Sequence, residues 1–145
     1  MKSFIYSFIV LLLCMSSSLT IKAQIEGKWK TIDDETNEPK SIVDIFIKDG
    51  KYHGKVVKLF RKPGEEQDPS CTECDPSDSR YNKKVLGMEI LKDMKKEGSE
   101  FIDGTILDPK NGKIYKCKIW IENSKLMLRG YWGPFYRTQT WLKAE

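Results

Sequence analysis

Apolar and polar residues alternate in several short segments of the chain, which is the period expected of half-buried β-strands. The clearest segment is residues 42–48, where Val43, Ile45 and Ile47 share one face. Clusters of Gly, Asp and Asn separate the segments and favour turns. No segment has a helical period. The pattern predicts eight strands at residues 25–32, 42–48, 51–60, 86–93, 101–107, 113–121, 125–130 and 137–143.

The connections between these segments indicate how the strands pair. Most are short enough for hairpins, such as the two-residue turn signal Asp49-Gly50, so consecutive strands are expected to be antiparallel neighbours. A sheet of eight strands can close on itself and lose its exposed edges. Closure would bring Arg137 and Trp141 near Trp29. The predicted fold class is therefore all-β, a small eight-stranded antiparallel up-and-down barrel.

Two connections depart from the simple hairpin pattern. Residues 95–98 are charged and end in glycine, so they are predicted to form a turn. A longer segment begins at Arg61 and ends at Lys84, is rich in Pro, Asp, Glu, Ser and Gly, and has no apolar period. A loop of this length inside a compact domain is usually functional or mobile. We therefore consider it as a contact surface for another protein of the cell envelope.

The beginning of the chain has the three-part plan of a secretory signal peptide. Residues 4–13 are apolar apart from one serine, which is too short a run to span a bilayer of about 30 Å. We predict that residues 1–23 are removed by cleavage between Ala23 and Gln24. Lipidation at Cys14 is an alternative, although no small residue precedes that cysteine. The expected location is the periplasm or cell envelope, with the extracellular space as a further option.

Residues 24–145 are predicted to form a single domain, long enough to bury a real core. Of the 25 lysines and arginines, Lys2 and Lys22 belong to the signal peptide, which leaves 23 against 21 acids. Mixed, near-neutral charge argues against nucleic acid as a partner, because phosphate binding needs a concentrated basic face. We expect a monomer with no transmembrane span.

The sequence carries no recognisable catalytic constellation. It lacks the nucleophile elbow, the zinc-protease helix motif and the glycine-rich phosphate loop. The single histidine, His53, is expected to be packed or solvated. We therefore predict no enzymatic activity and no cofactor.

The three cysteines after the signal peptide are the sharpest local chemistry. Cys71 and Cys74 are expected to form a local disulfide, which export permits. A redox site is less favoured because acidic neighbours raise a thiol pKa, and zinc would need further ligands from His53 or Cys117. Cys117 lies on the apolar face of its strand, where it is either a buried small side chain or a partner for one of the other two.

The strand at each end of the predicted barrel carries a signature that resembles that of the lipocalins and the wider calycin group. Gly27-x-Trp29 stands on the first strand and Arg137 on the last. The resemblance implies that Trp29 packs at the closed end of the barrel with Arg137 across its ring, a cation over an aromatic face. The signature residues are Gly27, Trp29, Arg137 and Trp141.

A second resemblance extends over nearly all of residues 25–142. It rests on an ordered set of motifs, which are Gly27-Lys28-Trp29-Lys30-Thr31, Asp49-Gly50, Gly54-Lys55-Val56-Val57, Cys71-x-x-Cys74, Gly87, Gly104-x-Ile106-Leu107-Asp108-Pro109, Gly112-Lys113-x-Tyr115-x-Cys117, Leu126-x-Leu128-Arg129-Gly130-Tyr131 and Arg137-x-Gln139-Thr140-Trp141. This ordered set is similar to the exported bacterial family known as domain of unknown function 2147. The resemblance implies a calycin-like barrel and export, and the family has no agreed activity.

One turn concentrates aromatic residues and is the predicted mouth of a ligand site. Tyr131, Trp132, Phe135 and Tyr136 surround Gly133-Pro134, and an eight-stranded barrel has space for one small ligand or for packed side chains. The sequence therefore favours non-enzymatic binding of a small apolar ligand or a cell-envelope component. The alternatives are a solid-core interaction module that acts through the long loop, and a thiol redox or metal-binding protein that uses Cys71 and Cys74.

Overall fold

The computed structural model describes residues 24–145, which form eight antiparallel strands closed into a barrel. Each strand pairs with its neighbours in chain order, and the last pairs with the first. The predicted fold class is confirmed. The predicted signal peptide, including Cys14, lies outside the described residues. The strands are β1 (Gly27–Ile32), β2 (Pro39–Lys48), β3 (Lys51–Leu59), β4 (Glu89–Glu97), β5 (Glu100–Asp108), β6 (Lys113–Glu122), β7 (Lys125–Trp132) and β8 (Phe135–Lys143).

The two ends of the barrel differ in their connections. One end, here called the floor, carries the tight turns β2–β3, β4–β5 and β6–β7, together with the start of β1 and the end of β8. The other end, the mouth, carries the β1–β2 loop, the long β3–β4 loop and the β5–β6 and β7–β8 turns. All the longer connections therefore surround one opening.

Apolar side chains pack the floor end solidly. Every second side chain of a strand points into the barrel, and the inward side chains at this end form one packed layer. A β-carbon on Gly104 would lie 2.6 Å from the carbonyl oxygen of Lys92, which shows how closely β4 and β5 approach there. The buried side chains of this layer are Ile25, Trp29, Ile45, Met94, Phe101, Ile119 and Leu126.

The boundaries of β4 differ from those predicted. The predicted turn at residues 95–98 is wrong, because β4 continues to Glu97 and the hairpin turns at residues 98–99. Lys96 pairs with the buried Phe101 in the register, and its ammonium lies 5.6 Å from the centre of that ring, so the charged residues continue the strand beside the core. The predicted start of this strand is also wrong, since Leu86 belongs to the long loop and is half exposed.

The β3–β4 loop, residues 60–88, is tied to itself and to the barrel. Cys71 donates its backbone N–H to the carbonyl of Lys83 at 2.8 Å, and Val85 donates to Pro69 at 2.9 Å. Gly87 donates to Val56 on β3 at 2.7 Å, which fixes the loop to the sheet. The predicted long loop is therefore present but ordered by its own hydrogen bonds. No helix within residues 24–145 is long and apolar enough to cross a membrane.

Candidate functional site

The mouth end of the barrel opens into a cavity of about 820 Å³. This volume lies within the range of small-molecule sites, about 300–1,000 Å³. The apolar side chains at its inner end, here called the deep wall, are almost fully shielded from solvent. The apolar side chains of this deep wall are Val56, Ile90, Leu107, Leu128 and Trp141.

A few hydrogen-bonding groups lie among the apolar side chains that line the cavity. Thr31 and Ser41 are buried, and their hydroxyls lie 2.8 Å apart, so one donates a hydrogen bond to the other. Gln139 accepts a hydrogen bond from the indole N–H of Trp141 at 3.2 Å through its amide oxygen, and its NH₂ group remains a donor. The Tyr115 hydroxyl accepts a hydrogen bond from Asn111 at 3.3 Å. This sparse polar set can orient a ligand without dominating its binding.

Gly130 widens the cavity on the β7 side. It shares the inward face of β7 with Leu126 and Leu128, and a β-carbon there would approach only Tyr115, at 3.6 Å. Sequence reasoning assigned no ligand role to Gly130, Tyr115 or Gln139. The available signal was the alternation of β6, β7 and β8, which places all three on the same inward faces.

Most of the charged side chains around the mouth are paired with opposite charges. Arg137 contacts Asp34 at 2.6 Å and thereby joins β8 to the β1–β2 loop. Lys62 contacts Glu38 at 2.6 Å, and this carboxylate holds the pKa of Lys62 above its usual value. Two further pairs, Lys40 with Asp33 and Arg61 with Glu65, complete the set. The rim is therefore close to electrically balanced and does not form a concentrated anion or cation site.

The aromatic β7–β8 turn forms one lip of this mouth. Trp132 and Phe135 are each 67% exposed, their ring centroids lie 6.3 Å apart, and both line the cavity together with Tyr136. Tyr131 does not line the cavity, because it points to the outer wall, where its ring lies 6.4 Å from that of Tyr136. The structure thus brings three of the four predicted mouth residues to the opening.

The signature residues occupy the floor and the cavity rather than one cluster. Trp29 is buried and donates its indole N–H to the carbonyl of Ile25 at 2.7 Å. Trp141 lies two positions from Trp29 in the β1–β8 register, as closure of the barrel requires. Gly27 has φ +106°, a conformation that favours glycine.

Arg137 does not lie across Trp29, and that expectation is wrong for this chain. Lys143 is the register partner of Trp29, and its ammonium lies 4.6 Å from the centre of the Trp29 ring. Arg137 stands six residues earlier on β8, at the mouth, where it binds Asp34. The register of the closing strand pair therefore assigns the cation at the floor to Lys143.

The local disulfide between Cys71 and Cys74 is present, and both cysteines are buried. The pair packs against the β5–β6 turn, where the Cys71 sulfur lies 3.6 Å from the carbonyl oxygen of Pro109. Cys117 is separate from this pair and lies inside the barrel, 3.5 Å from the sulfur of Met94. Burial raises the pKa of the Cys117 thiol to about 12, so it is a poor nucleophile at neutral pH.

His53 is buried on the outer side of β3 rather than in the cavity. Its Nδ1 lies 3.7 Å from Glu89 and has no hydrogen-bond partner, while its Nε2 lies 3.9 Å from Asp93. The two carboxylates therefore approach opposite nitrogens of the ring, so His53, Glu89 and Asp93 cannot bind one metal ion together. Among residues 24–145, no three His, Cys, Asp or Glu side chains converge as metal ligands would.

A closed eight-stranded antiparallel barrel that is packed at one end and open at the other is a lipocalin-like fold. The structure is similar to that of protein HP1028 from the human pathogen Helicobacter pylori, which belongs to the lipocalin family. The TM-score is 0.70 at 19% identity, over 85% of this chain and 84% of the other. The model of the DUF2147 family, described as an uncharacterized protein conserved in bacteria, matches residues 27–143, and the chain belongs to this family. No curated protein matches the chain.

Proposed function

We propose that this protein is a non-enzymatic carrier that binds one small, mainly apolar ligand inside the barrel. The observation that carries the proposal is the cavity of about 820 Å³, with an apolar deep wall and only a few hydrogen-bonding groups. Apolar surface removed from water contributes about 25 cal/mol per Å², so a ligand of this size gains most of its affinity from burial. We expect the polar end of the ligand to lie near Gln139 and Tyr115.

The balanced rim supports a neutral or weakly charged ligand. Each pair described above joins a base to an acid, so a strongly charged ligand would have to displace an existing partner. The expected export of the protein would place it where apolar molecules must cross an aqueous compartment, which is the setting in which a carrier is useful. This location remains part of the proposal.

Two alternatives receive less support. A solid-core module is disfavoured because the mouth half of the barrel contains open space. The long loop still offers an exposed surface of mixed charge for a partner, but it is held to the barrel by its disulfide and its backbone hydrogen bonds. A thiol redox role is disfavoured because Cys71 and Cys74 are 0% and 3% exposed.

The first test is native mass spectrometry of the protein purified from its own cells, repeated after denaturation. We expect a native mass above that of the polypeptide, with the excess lost on denaturation. The mass difference would begin the identification of the ligand. A bare native mass, together with no binding of a fluorescent fatty-acid analogue, would refute the carrier proposal.

A cavity-filling variant locates the ligand. Gly130→Leu places a side chain into open space at a residue without positive φ, so the barrel should remain folded. We expect this variant to bind the fluorescent analogue at least tenfold more weakly. The matched control is Thr140→Leu, on the outer face of β8, which should bind as the natural protein does. Equal affinity for both variants would place the ligand outside the barrel.

A further inference from the structure

Five large apolar side chains are exposed together along the lip and the outer wall next to it. Trp132 and Phe135 stand at the β7–β8 turn, and Tyr131 faces Tyr136 in the register just below them. Ile114 on β6 extends the same surface and is 48% exposed. Single exposed apolar residues are ordinary, but a contiguous group marks an interaction surface. We call Ile114, Tyr131, Trp132, Phe135 and Tyr136 the lip patch.

Cations accompany the lip patch on the same wall. The ammonium of Lys113 lies 5.5 Å from the centre of the Trp132 ring. The guanidinium of Arg129 lies 4.3 Å from the centre of the Tyr136 ring. Lys116 is the register partner of Tyr131 on the neighbouring strand. Long basic side chains can lie along apolar surface while their charged ends reach a polar phase.

The charge of the chain is not evenly interspersed, contrary to the expectation from the whole sequence. Residues 109–144 contain eight lysines and arginines and a single acid, Glu122, whereas residues 24–108 contain fifteen and nineteen. Glu122 ends β6 at the floor, away from the lip patch. The wall formed by β6, β7 and β8 is therefore basic, and it carries the exposed aromatic rings at its mouth end.

We propose that the lip patch docks the barrel onto a bilayer surface that contains anionic lipids. Trp and Tyr favour the interface between hydrocarbon and water, and basic residues beside an apolar surface add attraction to anionic headgroups. A purely polyanionic partner such as nucleic acid would use the cations but would gain little from the exposed Trp132 and Phe135. The combination of the two features is what selects a lipid surface.

The opposite side of the mouth sets the orientation of docking. The exposed charges of the long loop are five acids and four bases, so the loop lacks the basic excess of the β6–β8 wall and offers little attraction to anionic headgroups. The barrel would therefore tilt, with the β7–β8 turn toward the membrane and the long loop away from it. In this pose the cavity mouth opens close to the bilayer. Trp132, Phe135 and Tyr136 also line the edge of the cavity, but docking needs no ligand inside the barrel, so this proposal does not depend on the proposed carrier function.

Flotation of the purified protein with phospholipid vesicles tests the proposal. We expect binding to vesicles of phosphatidylcholine and phosphatidylglycerol, at least tenfold weaker binding to phosphatidylcholine alone, and a decrease in binding as salt is raised. The variant W132S/F135S should bind the mixed vesicles at least tenfold more weakly, and K113E/K116E should do the same. The four residues are on the surface, and thermal unfolding would verify that both variants are folded.

Matched controls come from other faces of the barrel. Leu86→Ser changes a half-exposed apolar residue of the long loop, and K55E/K58E changes two exposed lysines that also lie over aromatic rings. Both controls should bind as the natural protein does, and so should Gly130→Leu. The proposal is overturned if the natural protein does not bind the mixed vesicles, or if the lip variants bind as well as the controls. Full competition by a soluble polyanion with no effect of W132S/F135S would assign the basic wall to a polyanionic partner instead.

Discussion

Gly112 lies directly against the backbone of Glu73, with no room for a side chain between them. Gly112 belongs to the β5–β6 turn, and Glu73 lies between the two cysteines of the disulfide. The glycine also has φ +71°, a conformation that side chains disfavour. This contact therefore fixes the disulfide-bonded part of the long loop against the rim of the barrel.

Replacing Gly112 by alanine should destabilise the protein by about 2 kcal/mol, because both the positive φ and the collision with Glu73 are unfavourable. Gly133→Ala is the matched control, since Gly133 has φ +55° but open space around it. We expect the control to cost about 1 kcal/mol from backbone strain alone. Urea denaturation measures both variants. Equal losses would show that the long loop moves aside without cost.

Removing the disulfide should also lower stability. The double variant C71S/C74S is expected to lose about 2 kcal/mol, the value for a short closed loop in the chain-entropy model. Because both cysteines are buried, mild reductant should leave them unreactive toward alkylation until the protein unfolds. The measurement is mass spectrometry after reduction and alkylation with and without urea. Rapid labelling of the folded protein would revive the redox alternative.

Cys117 should respond to pH in a defined direction. Burial raises its pKa to about 12, whereas the pKa of a cysteine in an unfolded chain is about 8.5. Between these values the folded state retains a proton that the unfolded state loses, so stability falls as pH rises above about 8.5. We expect the stability of Cys117→Ala relative to the natural protein to improve between pH 8 and pH 10. Iodoacetamide at pH 8 should label Cys117 only after unfolding, and a difference in stability that does not change with pH would contradict this account.

Asp78 and Arg80 provide a second dependence on pH, at the acidic end. Arg80 is buried and donates to Asp78 at 2.7 and 2.9 Å and to the Glu89 carbonyl at 3.1 Å. The guanidinium holds the pKa of Asp78 far below its usual range. Since the folded pKa is depressed, the stabilisation is complete above about pH 4 and is lost as pH falls below it.

The variant Asp78→Asn should therefore lose about 2 kcal/mol at pH 7, the worth of hydrogen bonds to a charged group. The loss should shrink at pH 3. Glu73→Gln makes the same chemical change at an exposed residue of the same loop and should have little effect at either pH. Thermal unfolding at the two pH values gives the comparison. A loss from Asp78→Asn that is the same at both values would exclude the ion pair as its cause.

The sequence predicts the strands well because most of them alternate between inward and outward residues, as β2 does at Val43 and Ile45. It fails at Lys95 and Lys96, where charge indicated a turn but strand pairing continues, because the long side chain of Lys96 can cover the Phe101 ring while its charged end reaches water. The sequence also could not choose between Arg137 and Lys143 as the cation over Trp29. The two residues are six apart and share a face of β8, so only the register of the closing strands decides.

The candidate site, too, could be predicted from the sequence only in part. The aromatic turn at Trp132 and Phe135 was visible as a cluster, yet its position at the mouth depends on which end of the barrel carries the long loops. The different directions of Tyr131 and Trp132 follow from strand alternation once β7 is known to continue to Trp132. The cavity itself could not be predicted, because it depends on how far side chains such as Leu128 and Trp141 extend across the barrel.

The floor brings the end of β8 beside the start of β1, where Ala144 donates its backbone N–H to the carbonyl of Lys28 at 3.0 Å. A tether attached after Glu145 would therefore leave the barrel from the side opposite its opening. The protein could be fixed to a solid support or joined to a fluorescent reporter at this position without covering the open end of the barrel. The fold is for this reason a convenient starting point for a surface-bound sensor.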